Sequence, residues 1–71
     1  MIYQRDLQEC GVNSIEEYFM LIINGYEIKA DTIMQIYKDL SKKQEADFWD
    51  WVVQNYGEFK LARLFEYFTN N

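Results

Sequence analysis

The sequence predicts an all-α domain, a compact bundle of four or five short helices, and three observations support this fold class. Apolar residues recur at spacings of three and four in separate stretches, the pattern of helices with one buried face. Ser14 lies three residues before Glu17, and Ser41 lies three residues before Gln44, as in a capping box at a helix start. The three glycines are isolated, and each follows such a stretch, where a glycine in the left-handed conformation is expected to end the helix. No proline interrupts the stretches. The length is enough for one domain, residues 1–71.

A short first helix is predicted from Tyr3 to Cys10. Tyr3, Leu7 and Cys10 share one face of it, at spacings of four and three residues. The position of Cys10 on this apolar face predicts a buried packing thiol. Because Cys10 is the single cysteine, it can form no disulfide within the chain, which is typical of proteins of the reducing cytoplasm, the location we expect.

The second helix is predicted from Ser14 to about Asn24. The Ser14 hydroxyl is expected to accept a hydrogen bond from an early backbone N–H, while the Glu17 side chain reaches back to the amide of Ser14. Apolar side chains from Tyr18 to Ile23 cover nearly the whole circumference of this helix. Such a helix is expected at the centre of the core or against a partner chain.

The last three helices repeat one apolar pattern, and they are predicted from residue 30 or 31 to 40, over 41–56, and from 58 to about 68. In each, four apolar side chains at i, i+3, i+4 and i+7 are expected to face the core. These are Ile33, Ile36, Tyr37 and Leu40 in the third helix, Trp49, Val52, Val53 and Tyr56 in the fourth, and Leu61, Leu64, Phe65 and Phe68 in the fifth.

Aromatic side chains are abundant, with two Trp, six Tyr and five Phe making up 18% of the residues. They bury large areas and can build a core from few residues. A domain of this size has no room for all of them inside. We therefore expect some at the surface or in a subunit interface.

The net charge is −5, from twelve acidic and seven basic residues. This acidity disfavours direct binding to nucleic acid, for which a basic stripe is typical, and electrostatic attachment to anionic membranes. No apolar run is long enough to span a bilayer or to form a signal peptide. The expected partner is a protein, with a basic or neutral surface.

No catalytic residue, cofactor or metal site is predicted. The chain has no histidine, its cysteine has no conventional activating base, and its glycines form no phosphate-binding loop. Asp47 and Asp50 lie three residues apart and could both face one Mg²⁺, but acidic pairs at this spacing are ordinary on a solvated helix. We therefore expect a protein without enzymatic activity.

The fourth helix contains the most unusual local segment, Phe48-Trp49-Asp50-Trp51. Trp49 is predicted to lie in the core, whereas Trp51 falls at the rim of the apolar face, near Asp47. Aromatic side chains flanked by acidic ones at such a rim are typical of protein-binding sites. Asp47, Asp50 and Trp51 are therefore the first candidate partner-binding residues.

A second candidate patch lies on the fifth helix, opposite its apolar stripe. Phe59, Arg63 and Tyr67 follow one another at i, i+4 and i+8. Arg63 is expected either to stack on Tyr67 as a surface pair or, with its neighbours, to face another subunit or a target.

Acidic residues of different helices could also combine into one negative face. Glu45, Asp47 and Asp50 would form it if the fold brought them beside Glu9, Glu16 or Glu17. Such a face could occupy the basic nucleic-acid groove of another protein. The alternative is a surface that is acidic for solubility alone, since lysines and arginines are interspersed.

Four segments resemble those of other proteins: Asn24-Gly25, Leu40-Ser41-Lys42-Lys43-Gln44, Phe48-Trp49-Asp50-Trp51 and Tyr56-Gly57. They are similar in style to uncharacterised small helical proteins of phages and mobile elements, and the stretch that contains them, residues 24–57, is about half of the chain. That group includes anti-CRISPR proteins and other non-enzymatic inhibitors of host machinery. The resemblance implies an inhibitor and transfers no functional residue.

The leading functional hypothesis is a non-enzymatic protein-binding module, such as a phage-type inhibitor that docks on a host nucleic-acid-handling protein. Two alternatives stay open. The first is a structural homo-oligomer that buries surplus apolar surface between copies. The second is a protein that sequesters a nucleotide or similar small ligand between aromatic side chains.

Overall fold

Five helices account for most of the chain, and the computed structural model describes residues 1–70, Asn70 by its backbone alone. Within this range the helices are α1 (Gln4–Glu9), α2 (Ile15–Gly25), α3 (Ala30–Lys38), α4 (Lys42–Tyr56) and α5 (Glu58–Asn70), and there is no strand. The radius of gyration is 11.4 Å, close to the roughly 11 Å expected for a compact chain of this length. The predicted all-α bundle is confirmed.

The two predicted capping boxes differ in outcome. At the start of α4, the Ser41 hydroxyl accepts from the amide of Gln44 (3.1 Å) and the Gln44 side chain accepts from the amide of Ser41 (3.0 Å), as predicted. At the start of α2, the Ser14 hydroxyl accepts from the amide of Glu17 (3.2 Å). The Glu17 carboxylate, however, accepts from the amide of Asn13 (2.7 Å) rather than that of Ser14, so its reach was predicted one residue too short.

Two of the three glycines end helices as predicted, and the third has another role. Gly11 and Gly57 have φ values of 79° and 90°, in the left-handed region that favours glycine. Gly25 is the last residue of α2 and its φ is not positive, so the predicted left-handed helix end is wrong there. Its backbone instead lies so close to α3 that a Cβ would stand 2.7 Å from Cδ1 of Ile33.

The core contains side chains from all five helices, and α2 runs through its centre. Leu7, Val12, Tyr18, Phe19, Ile22, Ile23, Tyr26, Ile33, Tyr37, Leu40, Phe48, Val52, Leu64 and Phe68 are buried. The stripe predicted for α3 is confirmed, with Ile36 half-buried beside the other three. Burial on α2 is confirmed for four of the six apolar residues, while Met20 is exposed and Leu21 half-buried.

The register of the buried face was predicted incorrectly on α4 and in part on α5. Phe48 and Val52 are fully buried on α4, whereas Trp49 is half-buried and Tyr56 is 44% exposed. The buried face of α4 is thus centred on Phe48 and Val52, rotated about the helix axis from the predicted stripe. On α5, Leu64 and Phe68 are buried, but Phe65 is 48% exposed.

The prediction that Cys10 is a buried packing thiol is wrong, because its side chain is exposed. Helix α1 ends at Glu9, and Gly11 then turns the chain. Val12 occupies the buried position next to this turn, and its amide donates to the carbonyl of Leu7 (2.9 Å).

The side chain of Gln44 ties the start of the chain to α4. Its Oε1 accepts from the amide of Ile2 (2.9 Å), and its Nε2 donates to the carbonyl of Ile2 (2.8 Å). These bonds join residues 42 positions apart, in addition to the cap at Ser41. Gln44 therefore holds the N-terminal segment in place.

We expect Gln44→Ala to lower the free energy of unfolding by about 1–3 kcal/mol, because it removes the cap and leaves part-buried backbone groups of Ile2 unpaired. Urea denaturation followed by circular dichroism measures this change. Gln35→Ala is the matched control, since Gln35 makes one exposed hydrogen bond to Asp39 within α3. A loss no larger for Gln44→Ala than for Gln35→Ala would contradict the role of the Ile2 contact.

Candidate functional site

Helices α4 and α5 form a hairpin that carries all six candidate partner-binding residues. Gly57 is the single residue between the two helices, and α5 folds back along α4 so that Trp49 packs on Phe65 (ring centroids 5.3 Å apart) and on Phe68 (6.4 Å). The inner side of the hairpin is anchored in the core by Phe48 and Leu64, both at 0% exposure. Its other sides are free to carry functional residues.

Trp51 lies at the rim of the core, as its position in the sequence suggested. Its indole packs on Phe19 of α2 (5.6 Å), stacks near Phe48 (6.5 Å) and meets Tyr56 edge-on (5.6 Å). It is half-buried. Part of its surface therefore stabilises the fold, and only the remainder is available to a partner.

The two aspartates of α4 are both exposed but differ in their surroundings. Asp47 pairs with Lys43 one turn earlier, with the ammonium 3.4 Å from Oδ2. Asp50 has no ion pair or side-chain hydrogen bond with any described residue. Asp50 is therefore the one of the two whose charge is not already balanced at short range.

The three candidates on α5 share one side of the helix, at spacings of four residues. Phe59 leaves 79% of its surface exposed. Arg63 lies 4.0 Å from the carboxylate of Glu27, and the Tyr67 ring packs edge-on against Tyr26 (5.2 Å). Tyr67 is half-buried, so this end of the patch is closed against the segment between α2 and α3.

The two candidate patches contact different parts of the fold, since Trp51 packs on Phe19 and Tyr67 on Tyr26. A third surface is inferred from helical spacing around the contact between Trp49 and Phe65, and we name it the hairpin outer face. It consists of exposed or half-buried residues, Ala46, Trp49, Asp50 and Val53 of α4 and Glu58, Ala62, Phe65 and Glu66 of α5.

Sequence reasoning missed the hairpin outer face because it assigned the aromatic members to the core. Trp49 and Phe65 belong to the predicted apolar stripes, yet the structure leaves Trp49 half-buried and Phe65 48% exposed. The spacing i, i+3, i+4, i+7 of Ala46, Trp49, Asp50 and Val53 does place them side by side on a helix. That spacing was the available signal. It overlaps the predicted buried stripe at Trp49 and Val53, however, and spacing alone does not decide which of the two stripes is buried.

Glu45 does not contribute to an acidic face beside Asp47 and Asp50. Its carboxylate accepts a hydrogen bond from the Tyr37 hydroxyl, on the inner side of α4. Burial raises the pKa of Tyr37 above its ordinary value, and the hydrogen bond to Glu45 adds to this effect. Glu45 is thus occupied in holding α4 against α3.

A cavity of about 390 Å³ lies where α1 meets α2 and the end of α3. Asp6, Glu9, Cys10 and Asp39 line it, together with the ring of Tyr18. The Tyr18 hydroxyl donates to the carbonyl of Ile36 (2.8 Å), and burial raises the pKa of Tyr18, with further contributions from Cys10 and Asp39. Across residues 1–70, no group of three or more Cys, Asp or Glu side chains is arranged to hold a metal ion.

No family model, no curated protein and no solved structure matches the chain. The described helices also include none that is long and apolar enough to cross a membrane. Any functional interpretation therefore depends on the chain's own surface.

Proposed function

We propose that this protein is a non-enzymatic protein-binding module that docks through the acidic and aromatic surface of the α4–α5 hairpin. One observation carries the proposal. Tyr56, Phe59 and Phe65 lie within ten residues of one another and are 44%, 79% and 48% exposed. Aromatic side chains are enriched in protein–protein interfaces, and a hairpin that exposes three of them offers such side chains to a partner.

These exposed rings are not part of the buried core. Tyr18, Phe19, Tyr37, Phe48 and Phe68 already fill the core with aromatic contacts. An exposed Phe59 adds little to stability and is unfavourable for solubility. A role in binding explains why Phe59 is exposed to solvent beside acidic residues.

The expected partner is a protein with a basic surface. Asp50 carries a charge that no described lysine or arginine neutralises, and the chain as a whole has a net charge of −5. In its narrower form, which the resemblance to phage-type inhibitors suggests, the proposal is that the partner is a host nucleic-acid-handling protein and that docking inhibits it. Opposite charges would speed and orient such docking.

Affinity capture from bacterial lysates, quantified by mass spectrometry, tests the proposal. We expect wild-type chain on resin to retain a protein that the double variant Asp50→Lys/Phe59→Ser retains at least tenfold less, as for an interface centred on a few residues. Ile28→Ser is the matched control, because Ile28 is also 79% exposed but lies between α2 and α3. Retention of the same proteins by the double variant and wild type would contradict the proposal.

Sedimentation equilibrium at several concentrations distinguishes the proposed protein-binding module from the homo-oligomer alternative. The proposal predicts a monomer for wild type. A dimer that the Phe59→Ser change dissociates would show that the exposed rings bind a second copy instead.

A further inference from the structure

The hairpin outer face combines apolar and acidic side chains from two adjacent helices. Trp49 and Val53 of α4 lie one turn apart, and Phe65 of α5 packs against Trp49. Ala62 is one turn from Phe65 on the same side of α5. All four are exposed or half-buried, and helical spacing places them side by side as an apolar strip where α4 meets α5.

Three carboxylates border this strip: Asp50 on α4, and Glu58 and Glu66 on α5. Each is exposed, and none of the three forms an ion pair or a side-chain hydrogen bond with another described residue. The face itself includes no lysine or arginine. Lys42 lies one turn before Ala46, and Arg63, one turn before Glu66, lies beside Glu27 instead. The strip is thus apolar at its centre and bordered by three carboxylates without an ion-pair partner.

Resting on the proposed function, we infer that the hairpin outer face docks a short amphipathic segment of a protein, with apolar side chains at its centre and lysines or arginines at its edges. The strip runs for about 12 Å, or two helical turns, from Glu58 to Glu66. A helix of the partner could lay its apolar side along this strip. Its basic side chains would then reach Asp50, Glu58 and Glu66.

The charge pattern favours this occupant over a second copy of the chain. Two outer faces brought together would place six carboxylates in contact, with no cation of either face to pair with them. Like charges in contact oppose association. Nucleic acid and anionic membranes are disfavoured for the same reason.

A pair of synthetic peptides of roughly 14 residues, four helical turns, provides the probe. The first peptide has leucine on one face of a helix and lysine on the other, and the second has glutamate in place of every lysine. Binding to isotope-labelled protein is measured by NMR chemical-shift mapping and titration. We expect the lysine peptide to perturb Trp49, Asp50, Phe65 and Glu66, and the glutamate peptide to bind at least tenfold more weakly.

Two charge-matched variants distinguish binding at this face from attraction to the acidic protein as a whole. Glu58→Gln/Glu66→Gln neutralises the border, whereas Glu9→Gln/Glu16→Gln removes the same charge from α1 and α2. We expect the dissociation constant for the lysine peptide to rise roughly threefold to tenfold in the first variant and to change less than twofold in the second. Phe65→Ala should weaken binding further while the backbone spectrum stays folded.

Several results would overturn the inference. They are perturbations confined to α1 and the start of α2, equal effects of the two charge variants, equal binding of the two peptides, or no binding at millimolar peptide. The captured partner tests it independently of the proposed function. If that partner binds wild type and Phe65→Ala/Glu58→Gln/Glu66→Gln equally, the inference fails while protein binding through another part of the hairpin stands.

Discussion

Phe48→Ala is expected to remove a large part of the free energy of unfolding of this domain. Phe48 has no exposed surface, and its ring meets Phe19 (5.2 Å), Tyr37 (6.0 Å) and Trp49 (4.8 Å). Truncating a buried phenylalanine costs about 3–5 kcal/mol through lost burial and the cavity left behind. A domain of this length has a total free energy of unfolding of only about 4–11 kcal/mol. The substitution therefore removes a large part of the stability.

Chemical denaturation monitored by far-ultraviolet circular dichroism measures this effect. Phe59→Ala is the control, because the same substitution at a residue that is 79% exposed should change the free energy of unfolding by no more than about 0.5 kcal/mol. Phe48→Leu, which keeps much of the buried volume, should recover part of the loss. Equal stability of Phe48→Ala and Phe59→Ala would contradict the arrangement of the core.

The protein is expected to lose stability steeply above about pH 10. Tyr18 and Tyr37 are buried, and burial raises the pKa of both hydroxyls in the folded state. Below the ordinary tyrosine pKa of about 10 both states keep these protons, and the contribution to stability is complete. Above it the unfolded chain releases them while the folded chain retains them, so the free energy of unfolding falls by about 1.4 kcal/mol per pH unit for each tyrosine.

Urea denaturation at several pH values from 9 to 12 tests this linkage. Tyr18 and Tyr37 together contribute a slope of about 2.7 kcal/mol per pH unit, to which Tyr26 adds because burial raises its pKa as well, and Tyr18→Phe should lower the total by about 1.4 kcal/mol per pH unit. Comparing the two proteins at each pH cancels the titration of the lysines, which both share. An identical slope in wild type and Tyr18→Phe would mean that the Tyr18 proton is not retained in the folded state.

Local signals were sufficient to predict where the helices lie. A serine cap with Gln44 marks the start of α4, and Gly11 and Gly57 end helices because they adopt the left-handed conformation. These features involve residues within one turn of each other. The local sequence therefore contains everything that decides them.

Contacts between distant residues could not be predicted in the same way. Gln44 binds Ile2 across 42 positions, and a side chain at position 25 would require the Ile33 side chain to shift. Both depend on how the helices pack together. The exposure of Cys10 likewise follows from the point where α1 ends, which the apolar spacing alone did not indicate.

The candidate site shows the same division between local and distant information. Periodicity places Asp50 and Phe59 on outward sides of their helices, and both are exposed. Phe48 and Trp49 are adjacent, however, and either could have led the buried face of α4. The choice depends on Phe19, Tyr37 and Phe68, which surround them from three other helices. The half-exposed positions of Trp49 and Phe65 follow from that packing.

The central claim is that the exposed side chains of the α4–α5 hairpin serve binding rather than folding. Titration calorimetry of the captured partner against wild type and Asp50→Lys/Phe59→Ser, with the free energy of unfolding of both proteins, tests it most directly. We predict an affinity at least about thirtyfold weaker in the double variant, typical of the loss of interface hot spots, and a free energy of unfolding within about 0.5 kcal/mol of wild type. Unchanged affinity in a fully folded double variant would contradict the claim.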